Sequence, residues 1–261
     1  MMIPKCIHYC WFGNNDLPEL AKQCIDSWKK YMPDYEIIEW NESNFDINCN
    51  YYVKEAYDMK KYAFVSDYAR LKILYDNGGI YFDTDVELIK PLSNEMLENG
   101  YFAMEDSNFI ATGLGFACKK HNLLVKKMMD EYESIHFVSN NKLDLTPCPA
   151  RNTQSVIDKI PSFDNYFLLD NMLVYNQEFF NPLDYKTGIM NITDKTYSIH
   201  YGVASWLDDV DKSLLICKHK MIKKYGVKFG SFVYLIKKFI VYLFKKPRLL
   251  VEIVFKRKRN D

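Results

Sequence analysis

The 261-residue chain has few of the residues that interrupt regular structure, with 10 glycines and 9 prolines. Together with a hydrophobic share of 48% and a charged share of 26%, this composition excludes collagen-like, low-complexity and disordered chains. The length fits one large domain or two small ones, so we expect stability to come from a hydrophobic core.

Cysteine pairs of the CxxC type are also absent, and the number of cysteines, seven, is odd. This argues against a structural zinc site, and free thiols indicate a reducing compartment. The amino-terminal MMIPKCIHYCWFG has a proline, a lysine and a histidine where a secretory signal needs an unbroken apolar run. We therefore expect the bulk of the chain to stay in the cytoplasm.

The sequence has no excess of one charge, because 34 Lys and Arg balance 34 Asp and Glu, but the two signs are unevenly placed. Residues 215–261 carry 14 basic and two acidic residues, whereas residues 1–214 carry 20 basic and 32 acidic ones. None of the tail's apolar blocks reaches the ~20 residues of a membrane-spanning helix. The blocks at 232–236, 239–244 and 249–255 alternate with lysine pairs at 237/238 and 245/246.

On helices these lysines would flank wide apolar faces, the pattern of a segment that lies in a membrane interface and is attracted to anionic lipid. We therefore predict a first domain at residues 1–214 and a basic amphipathic, membrane-associating helical segment at residues 215–261. A pair of ordinary core-covering helices is the alternative. Nucleic acid is not an expected partner, because basic residues that bind it are more often interleaved with polar ones.

Strand and helix patterns alternate along the first part of the chain, which is typical of an α/β domain with a largely parallel sheet. In such sheets, ligands bind at the carboxyl ends of the strands. Strands are predicted at residues 3–12, 35–40, 80–82, 101–104 and 110–117, and helices at residues 17–31, 62–76, 122–135 and 152–160.

Asp83 and Asp85 follow the predicted strand at 80–82 directly. Two carboxylates two residues apart at a strand end can both turn toward one divalent cation, and hard oxygen ligands suit Mg²⁺ or Mn²⁺. The motif alone is a weak signal, because a solvated turn has the same pattern.

Two other segments supply context for these carboxylates. Asp67 and Arg70 share a face of the helix at 62–76, which ends at a glycine pair just before the strand. A compact turn there would bring this face beside Asp83 and Asp85, whereas a surface ion pair of little energy is the alternative. Downstream, the segment HYGVASW begins at His200, an imidazole that is either a ligand or structural.

Three segments in this order, IPKCIHYCWFG, SDYARLKILYDNGGIYFDTDVELIKPL and HYGVASW, resemble the family 32 glycosyltransferases, the sugar-transferring proteins with the DxD motif. The resemblance is dense from Ile3 to about Leu92 and resumes near His200. It implies a GT-A-like, Rossmann-type nucleotide-sugar-binding domain and a retaining hexosyltransferase. Bacterial members of the family commonly serve the synthesis of capsular or other surface polysaccharides.

The resemblance also implies roles for individual residues. Asp85 is the more direct ligand of Mn²⁺ or Mg²⁺, and Asp83 reaches the ribose or sugar as well as the metal. Asp67 and Arg70 hold the donor sugar and ribose, which completes a candidate catalytic set of four. His200 is the third metal ligand, although the spacing of its motif differs from the usual His-x-x-Gly pattern of related enzymes.

Further residues are implied around the nucleotide sugar. Trp206 would close over the diphosphate, and the nucleotide base would be lined by the segment from His8 to Gly13, in particular His8, Trp11 and Phe12. The remaining candidates for sugar or acceptor contacts are Glu105, Asp106, Asn152, Thr153 and Gln154. Any polar loop would show the same pattern. The roles of Asp208 and Asp209 stay open.

The chemistry expected of such a site follows from charge. A nucleotide sugar has an activated leaving group, so the enzyme needs a cation that neutralises the charge on the departing diphosphate. A retaining transfer can be assisted by that diphosphate, so no protein nucleophile is assigned. Bacterial relatives place UDP-galactose first among donors, then UDP-glucose or UDP-N-acetylglucosamine, with GDP-mannose behind. The expected acceptor is a saccharide, lipid-linked, at the inner face of the cell membrane.

Two rival interpretations remain. In a haloacid-dehalogenase-like phosphohydrolase, Asp83 would be a phosphorylated nucleophile and Asp85 the acid. That motif normally opens its domain, whereas a complete β-α unit precedes it here, and the helix with Asp67 and Arg70 would have no role. A catalytically idle peripheral membrane protein, whose basic tail is its function, is the second rival.

Overall fold

A computed structural model of the chain describes residues 3–185, 187–202 and 209–246. The helices of this part are α1 (Glu19–Tyr31), α2 (Tyr51–Asp58), α3 (Tyr62–Asn77), α4 (Asn94–Asn99), α5 (Leu123–Glu133), α6 (Cys148–Val156), α7 (Gln177–Phe180), α8 (Asp209–Tyr225) and α9 (Val227–Lys245). The strands are β1 (Cys6–Cys10), β2 (Glu36–Trp40), β3 (Gly79–Tyr81), β4 (Val86–Leu88), β5 (Tyr101–Ala103), β6 (Phe116–Cys118), β7 (Val138–Ser139), β8 (Lys142–Leu143), β9 (Tyr166–Leu169), β10 (Met172–Tyr175), β11 (Leu183–Asp184), β12 (Ile189–Met190) and β13 (Ser198–His200).

The central sheet has seven strands in the order β2-β1-β3-β6-β5-β10-β9. Strand β1 pairs in parallel with β2 and β3, and β5 pairs in parallel with β10. Strand β6 runs antiparallel to both β3 and β5. The α/β class is therefore confirmed, but the sheet is more mixed than predicted. Residues 104–115 connect β5 to β6 without a helix, and such a connection returns the chain antiparallel.

Two hydrophobic clusters cover the two faces of this sheet, as the alternation of side chains along a strand requires. In the segment after α3, Tyr81 belongs to one cluster, and Ile80 and Phe82 belong to the other. Trp28 of α1 is completely buried 5.4 Å from the ring of Phe82. Its Nε1 also donates to the carbonyl of Val86 at 2.8 Å, so the core anchors the chain on both sides of the two aspartates.

The turn from α3 into β3 depends on Gly78 and Gly79, which have φ angles of +67° and +104°. Glycine adopts this left-handed region without a steric cost. A Cβ on Gly79 would also approach the carbonyl oxygen of Cys6 to 2.8 Å. The predicted helix stop is thereby confirmed, and the turn directs β3 back along α3.

Element boundaries differ from prediction where local signals were misread. Helix α6 begins at Cys148, between two prolines that fit a first helical turn, rather than at Asn152. Helix α2 was not predicted, although Asn50 caps it by accepting from the backbone N–H of Val53 at 2.8 Å. The strand predicted at 110–117 is present only at its end, in β6.

The described chain divides into two compact units, one of residues 3–182 and 191–202 and one of residues 183–185, 187–190 and 209–246. The second unit contains the β11–β12 hairpin and the helices α8 and α9. The predicted helical nature of the described tail is confirmed, and the boundary between residues 214 and 215 stays a prediction. Among the described helices, none combines the length and the hydropathy that a membrane crossing requires.

Candidate active site

Arg70 joins helix α3 to the end of strand β3. Its side chain is only 6% exposed, and Nη2 lies 3.1 Å from Oδ1 of Asp67 and 3.1 Å from Oδ1 of Asp83. Nε donates to the carbonyl of Ser66 at 3.1 Å, and the guanidinium lies 5.3 Å from the centre of the Tyr81 ring. The helix face predicted to lie beside the carboxylates does so.

Asp83 has further contacts that fix its orientation. Its Oδ1 also accepts from the hydroxyl of Tyr81 at 2.9 Å, and its backbone N–H donates to the carbonyl of Gly113 at 3.1 Å. A Cβ at Gly113 would lie 2.2 Å from Oδ2 of Asp83, so a larger residue there would displace the carboxylate or the loop. The side chain of Asp83 remains 28% exposed, which leaves an edge accessible to a ligand.

Burial changes the ionisation of this group of charges. It raises the pKa of Asp67 to about 6, although the nearby Arg70 acts in the opposite direction. Burial likewise raises the pKa of Asp83. For Arg70 burial alone would lower the pKa, but Asp83 and Asp67 outweigh it and raise the pKa above its usual value. Removing the Arg70 guanidinium would leave the carboxylates of Asp67 and Asp83 in a poorly solvated site without their cation.

His200 reaches the aspartates through the pairing of two short strands. Strand β13 runs antiparallel to β4, with His200 opposite Val86, and the backbone N–H of Tyr201 donates to the carbonyl of Asp85 at 3.0 Å. The imidazole Nε2 of His200 lies 3.2 Å from Oδ1 of Asp85. The two side chains are 18% and 17% exposed, so both are largely covered from solvent.

Asp83, Asp85 and His200 form a cluster suited to one cation. One ligand atom from each lies within 4.8 Å of the others. For His200 burial alone would lower the pKa, but the carboxylates of Asp85, Asp83 and Glu105 outweigh it and raise the pKa. Because carboxylates outnumber the basic groups here, the site fits a divalent cation with oxygen and imidazole ligands.

His8 and Phe12, predicted to line the nucleotide base, are 1% and 5% exposed. The indole Nε1 of Trp40 donates to Nδ1 of His8 at 3.0 Å, so Nε2 carries the proton and donates to the carbonyl of Gly78 at 3.0 Å. Burial lowers the pKa of His8 to about 4. The structure gives both residues a packing role, and their direct contact with a nucleotide stays a prediction.

Trp11 differs from these two because it is half-buried, and its Nε1 donates to the carbonyl of Asn15 at 2.6 Å. With Trp40, which is also half-buried, it supplies accessible aromatic surface at the ends of β1 and β2. Trp206 and Asp208 lie outside the described residues. Asp209 is the first residue of α8, in the second unit.

A polar layer behind Arg70 was not predicted as such. Nη1 of Arg70 lies 3.8 Å from Sγ of Cys148, which is 3.5 Å from the hydroxyl of Thr112. Asn152 donates to that hydroxyl at 3.2 Å and is fully buried. Thr153 is also buried, and its hydroxyl accepts from the backbone N–H of Ile110 at 2.8 Å.

The remaining candidates for sugar or acceptor contacts are more accessible. Gln154 is exposed, and Glu105 and Asp106 are half-buried. Glu105 lies close enough to His200 to raise its pKa, so the structure brings this residue near the cluster of Asp83, Asp85 and His200. For Gln154 and Asp106, contact with a sugar or an acceptor stays a prediction.

Residues 18–103 match the family described as "Glycosyltransferase sugar-binding region containing DXD motif". This segment contains Asp67, Arg70, Asp83 and Asp85. Among them, Arg70 contacts both Asp67 and Asp83. This segment is similar to the sugar-binding region of the DXD glycosyltransferases. The resemblance of the three sequence segments is therefore confirmed, and the matched segment runs from α1 to β5.

Three curated relatives are similar to about a third to a half of the chain. The chain is 24% identical over 176 residues to subversion of eukaryotic traffic protein A of Legionella pneumophila, covering 55% of this chain and 27% of that protein. It is 28% identical over 150 residues to inositol phosphoceramide mannosyltransferase 1 of Schizosaccharomyces pombe, covering 52% and 43%. It is 38% identical over 92 residues to inositol phosphoceramide mannosyltransferase 3 of Schizosaccharomyces pombe, covering 32% of this chain and 24% of that protein. The chain thus spans less than half the length of these relatives.

Solved structures of glycosyltransferases are also similar to the chain. The "PaToxG Glycosyltransferase" has 23% sequence identity and a TM-score of 0.47, covering 59% of this chain and 69% of its own. A glycosyltransferase "involved in the glycosylation of the major capsid of PBCV-1" has 13% identity and a TM-score of 0.41, covering 79% and 96%.

Proposed function

We propose that the chain is a metal-dependent retaining glycosyltransferase that moves a hexose from a nucleotide sugar to a saccharide acceptor. One observation carries this proposal: Arg70 joins Asp67 to Asp83 directly beside the cluster that Asp83 forms with Asp85 and His200. Sugar-binding and metal-binding groups are thereby adjacent, as a metal-bound diphosphate with an attached sugar requires.

Each residue of the DXD region has a distinct role in this proposal. Asp85 and His200 would hold Mn²⁺ or Mg²⁺ together with Asp83, and the imidazole nitrogen favours Mn²⁺ over the harder Mg²⁺. When bound, the cation neutralises charge on the leaving diphosphate. Asp67 accepts hydrogen bonds from hydroxyls of the donor, and Arg70 orients Asp67 and Asp83 toward it. No side chain is assigned as a nucleophile.

The donor we propose first is UDP-galactose, followed by UDP-glucose and UDP-N-acetylglucosamine. GDP-mannose is the second candidate, because two relatives from fission yeast are named as mannosyltransferases. The two choices differ in the base and in the sugar. A panel that varies both therefore separates them.

The acceptor we propose is a lipid-linked saccharide in surface polysaccharide synthesis, at the inner face of the cell membrane. The basic, apolar tail supports this location, because an enzyme at the membrane surface meets an acceptor whose lipid is embedded there. The yeast relatives are named for a ceramide-based acceptor, which is likewise a lipid.

The proposal is tested by thermal unfolding of the protein with UDP, GDP, CMP, UDP-sugars and GDP-mannose, each with Mn²⁺ and with EDTA. Binding to the native state raises Tm, by linkage. We expect one nucleotide class to raise Tm with Mn²⁺ and to lose that effect in EDTA. Absence of any metal-dependent shift would contradict the proposal.

The same samples discriminate the two rivals. A haloacid-dehalogenase-like enzyme would hydrolyse p-nitrophenyl phosphate with Mg²⁺ and would show no nucleotide selectivity. An idle membrane protein would show neither activity nor nucleotide binding. The Arg70 bridge disfavours the first rival, because it ties Asp83 to Asp67 through a residue that a phosphorylated nucleophile does not need.

A further inference from the structure

One face of helix α9 is apolar and exposed along most of its length. Its members recur at helical spacing and are each between 48% and 78% exposed. They are Phe229, Phe232, Leu235, Ile236, Phe239, Ile240, Leu243 and Phe244, and we call them the α9 apolar face.

The opposite face of α9 packs on α8, which fixes the orientation of the apolar face. Gly230 permits close approach, because a Cβ there would lie 2.5 Å from the carbonyl oxygen of Met221. The hydroxyl of Tyr242 donates to Asp211 at 2.8 Å, and Nζ of Lys246 lies 2.7 Å from the same carboxylate. The helix pair is therefore held by packing and polar contacts that do not involve the α9 apolar face.

Charge surrounds this face on the same unit. Residues 209–246 contain ten lysines and two aspartates. At 100° per residue, Lys228 and Lys237 fall close to the two margins of the α9 apolar face. Lys237 and Lys238 also interrupt the apolar sequence near the middle of the helix, which suits a helix lying along a membrane rather than across it.

We propose that the α9 apolar face inserts into the interface of an anionic lipid bilayer, with α9 parallel to the surface and its marginal lysines at the headgroups. A lipid surface fits better than a second copy of the chain, because two copies facing each other would bring two strongly basic units together. This proposal deepens the membrane partner of the proposed function, but it concerns binding and not sugar transfer.

The test is co-sedimentation of the full chain with vesicles of phosphatidylcholine alone and of phosphatidylcholine with about 30 mol% phosphatidylglycerol. We expect binding to the anionic vesicles and little binding to the neutral ones. The double variant Phe232→Gln, Phe239→Gln should bind the anionic vesicles at least about tenfold more weakly, because two aromatic anchors are lost. Leu168→Gln is the matched control, since Leu168 is 64% exposed on β9 in the first unit.

A second variant keeps the α9 apolar face and removes the charges of two lysines at its margins. Lys228→Gln with Lys237→Gln should weaken anionic binding and reduce its sensitivity to salt between about 0.1 M and 0.5 M NaCl. Equal binding of the wild type and the Phe232, Phe239 variant would overturn the proposal. A dimeric wild type that becomes monomeric in that variant, with unchanged vesicle binding, would assign the face to self-association instead.

The readouts separate this proposal from the proposed function. Circular dichroism must show unchanged helix content in each variant, so that lost binding is not lost folding. The metal-dependent nucleotide shift of Tm should be the same in the Phe232, Phe239 variant and in the wild type. Vesicle binding without a nucleotide shift would support the membrane surface and contradict the transferase.

Discussion

Arg70 and Asp83 lie 3.1 Å apart across the turn that joins α3 to β3, and the same guanidinium nitrogen lies 3.1 Å from Asp67. Helix and strand are thus tied together at the point where the DXD motif begins. The contact is covered from solvent, since the Arg70 side chain is 6% exposed. This burial distinguishes the contact from a surface ion pair, and we expect it to stabilise the fold.

Replacing Arg70 by alanine should lower the free energy of unfolding by about 3–5 kcal/mol, because two buried carboxylates lose their cation. Urea denaturation measures this change. Arg70→Lys keeps the charge but loses the planar fork, so it should fold better than the alanine variant and still use the donor poorly. An alanine variant with wild-type stability and donor affinity would contradict both the stabilising bridge and the role of Arg70 in donor binding.

Gly113→Ala should disturb Asp83 directly, because the added Cβ would lie 2.2 Å from its Oδ2. We expect metal-dependent nucleotide binding to weaken at least about tenfold, as the carboxylate must turn away or the loop must shift. Titration calorimetry with UDP and Mn²⁺ checks this. Ser107→Ala, at an exposed position in the same β5–β6 connection, is the control and should bind as the wild type does.

His8 should make stability depend on pH. Burial lowers its pKa to about 4 from an ordinary value of 6.5, so below pH 6.5 the unfolded chain binds a proton that the folded protein excludes. Stability from this group is complete above pH 6.5 and falls as the pH drops toward 4, by about 3 kcal/mol in all. Urea denaturation across this range should show the loss in the wild type.

The variant His8→Asn isolates the histidine from the carboxylates that also titrate in acid. It should be less stable than the wild type at neutral pH, because the hydrogen bonds to Trp40 and Gly78 change. The difference in stability between the two proteins should narrow as the pH falls from 6.5 to 4. A constant difference would mean that His8 is protonated as readily in the folded state as in the unfolded one.

The parts of the site that are close in sequence could be predicted from it. Asp83 and Asp85 end an apolar strand, and the glycine pair stops α3 just before it, so local periodicity and turn chemistry place Asp67 and Arg70 nearby. His200 was harder to place because its position depends on β13 pairing with β4, a long-range contact. The resemblance to a known family predicted His200 as a metal ligand, whereas the spacing of its motif alone did not.

Other features depend on packing that no local pattern encodes. His8 is a polar residue in the middle of β1, yet it is buried beside Trp40 from the neighbouring strand β2. Gly113 lies in a turn, but no local pattern shows that Asp83 and Arg70 lie against it. Cys148 reaches Arg70 from α6 and Asn152 contacts Cys148, so this polar layer could not be foreseen from composition or spacing.

Asp85→Asn tests the candidate metal site, because it removes the charge of the side chain and keeps its size. The Asp85 side chain is 17% exposed and belongs to neither hydrophobic cluster, so we expect the fold and Tm to be close to those of the wild type. The loss of one ligand charge should remove the metal-dependent effect of the nucleotide on Tm. If the variant retained this effect at the Mn²⁺ concentration used for the wild type, Asp85 would be excluded as a ligand.

The most direct test of the central claim is the release of nucleoside diphosphate from each sugar donor by the wild type and by Asp85→Asn, with Mn²⁺ and with EDTA. We predict release from one donor by the wild type with Mn²⁺, and a loss of at least about a hundredfold in the variant and in EDTA. Release that persists equally in the variant or without metal would contradict the assignment of catalysis to the Asp83, Asp85 and His200 cluster.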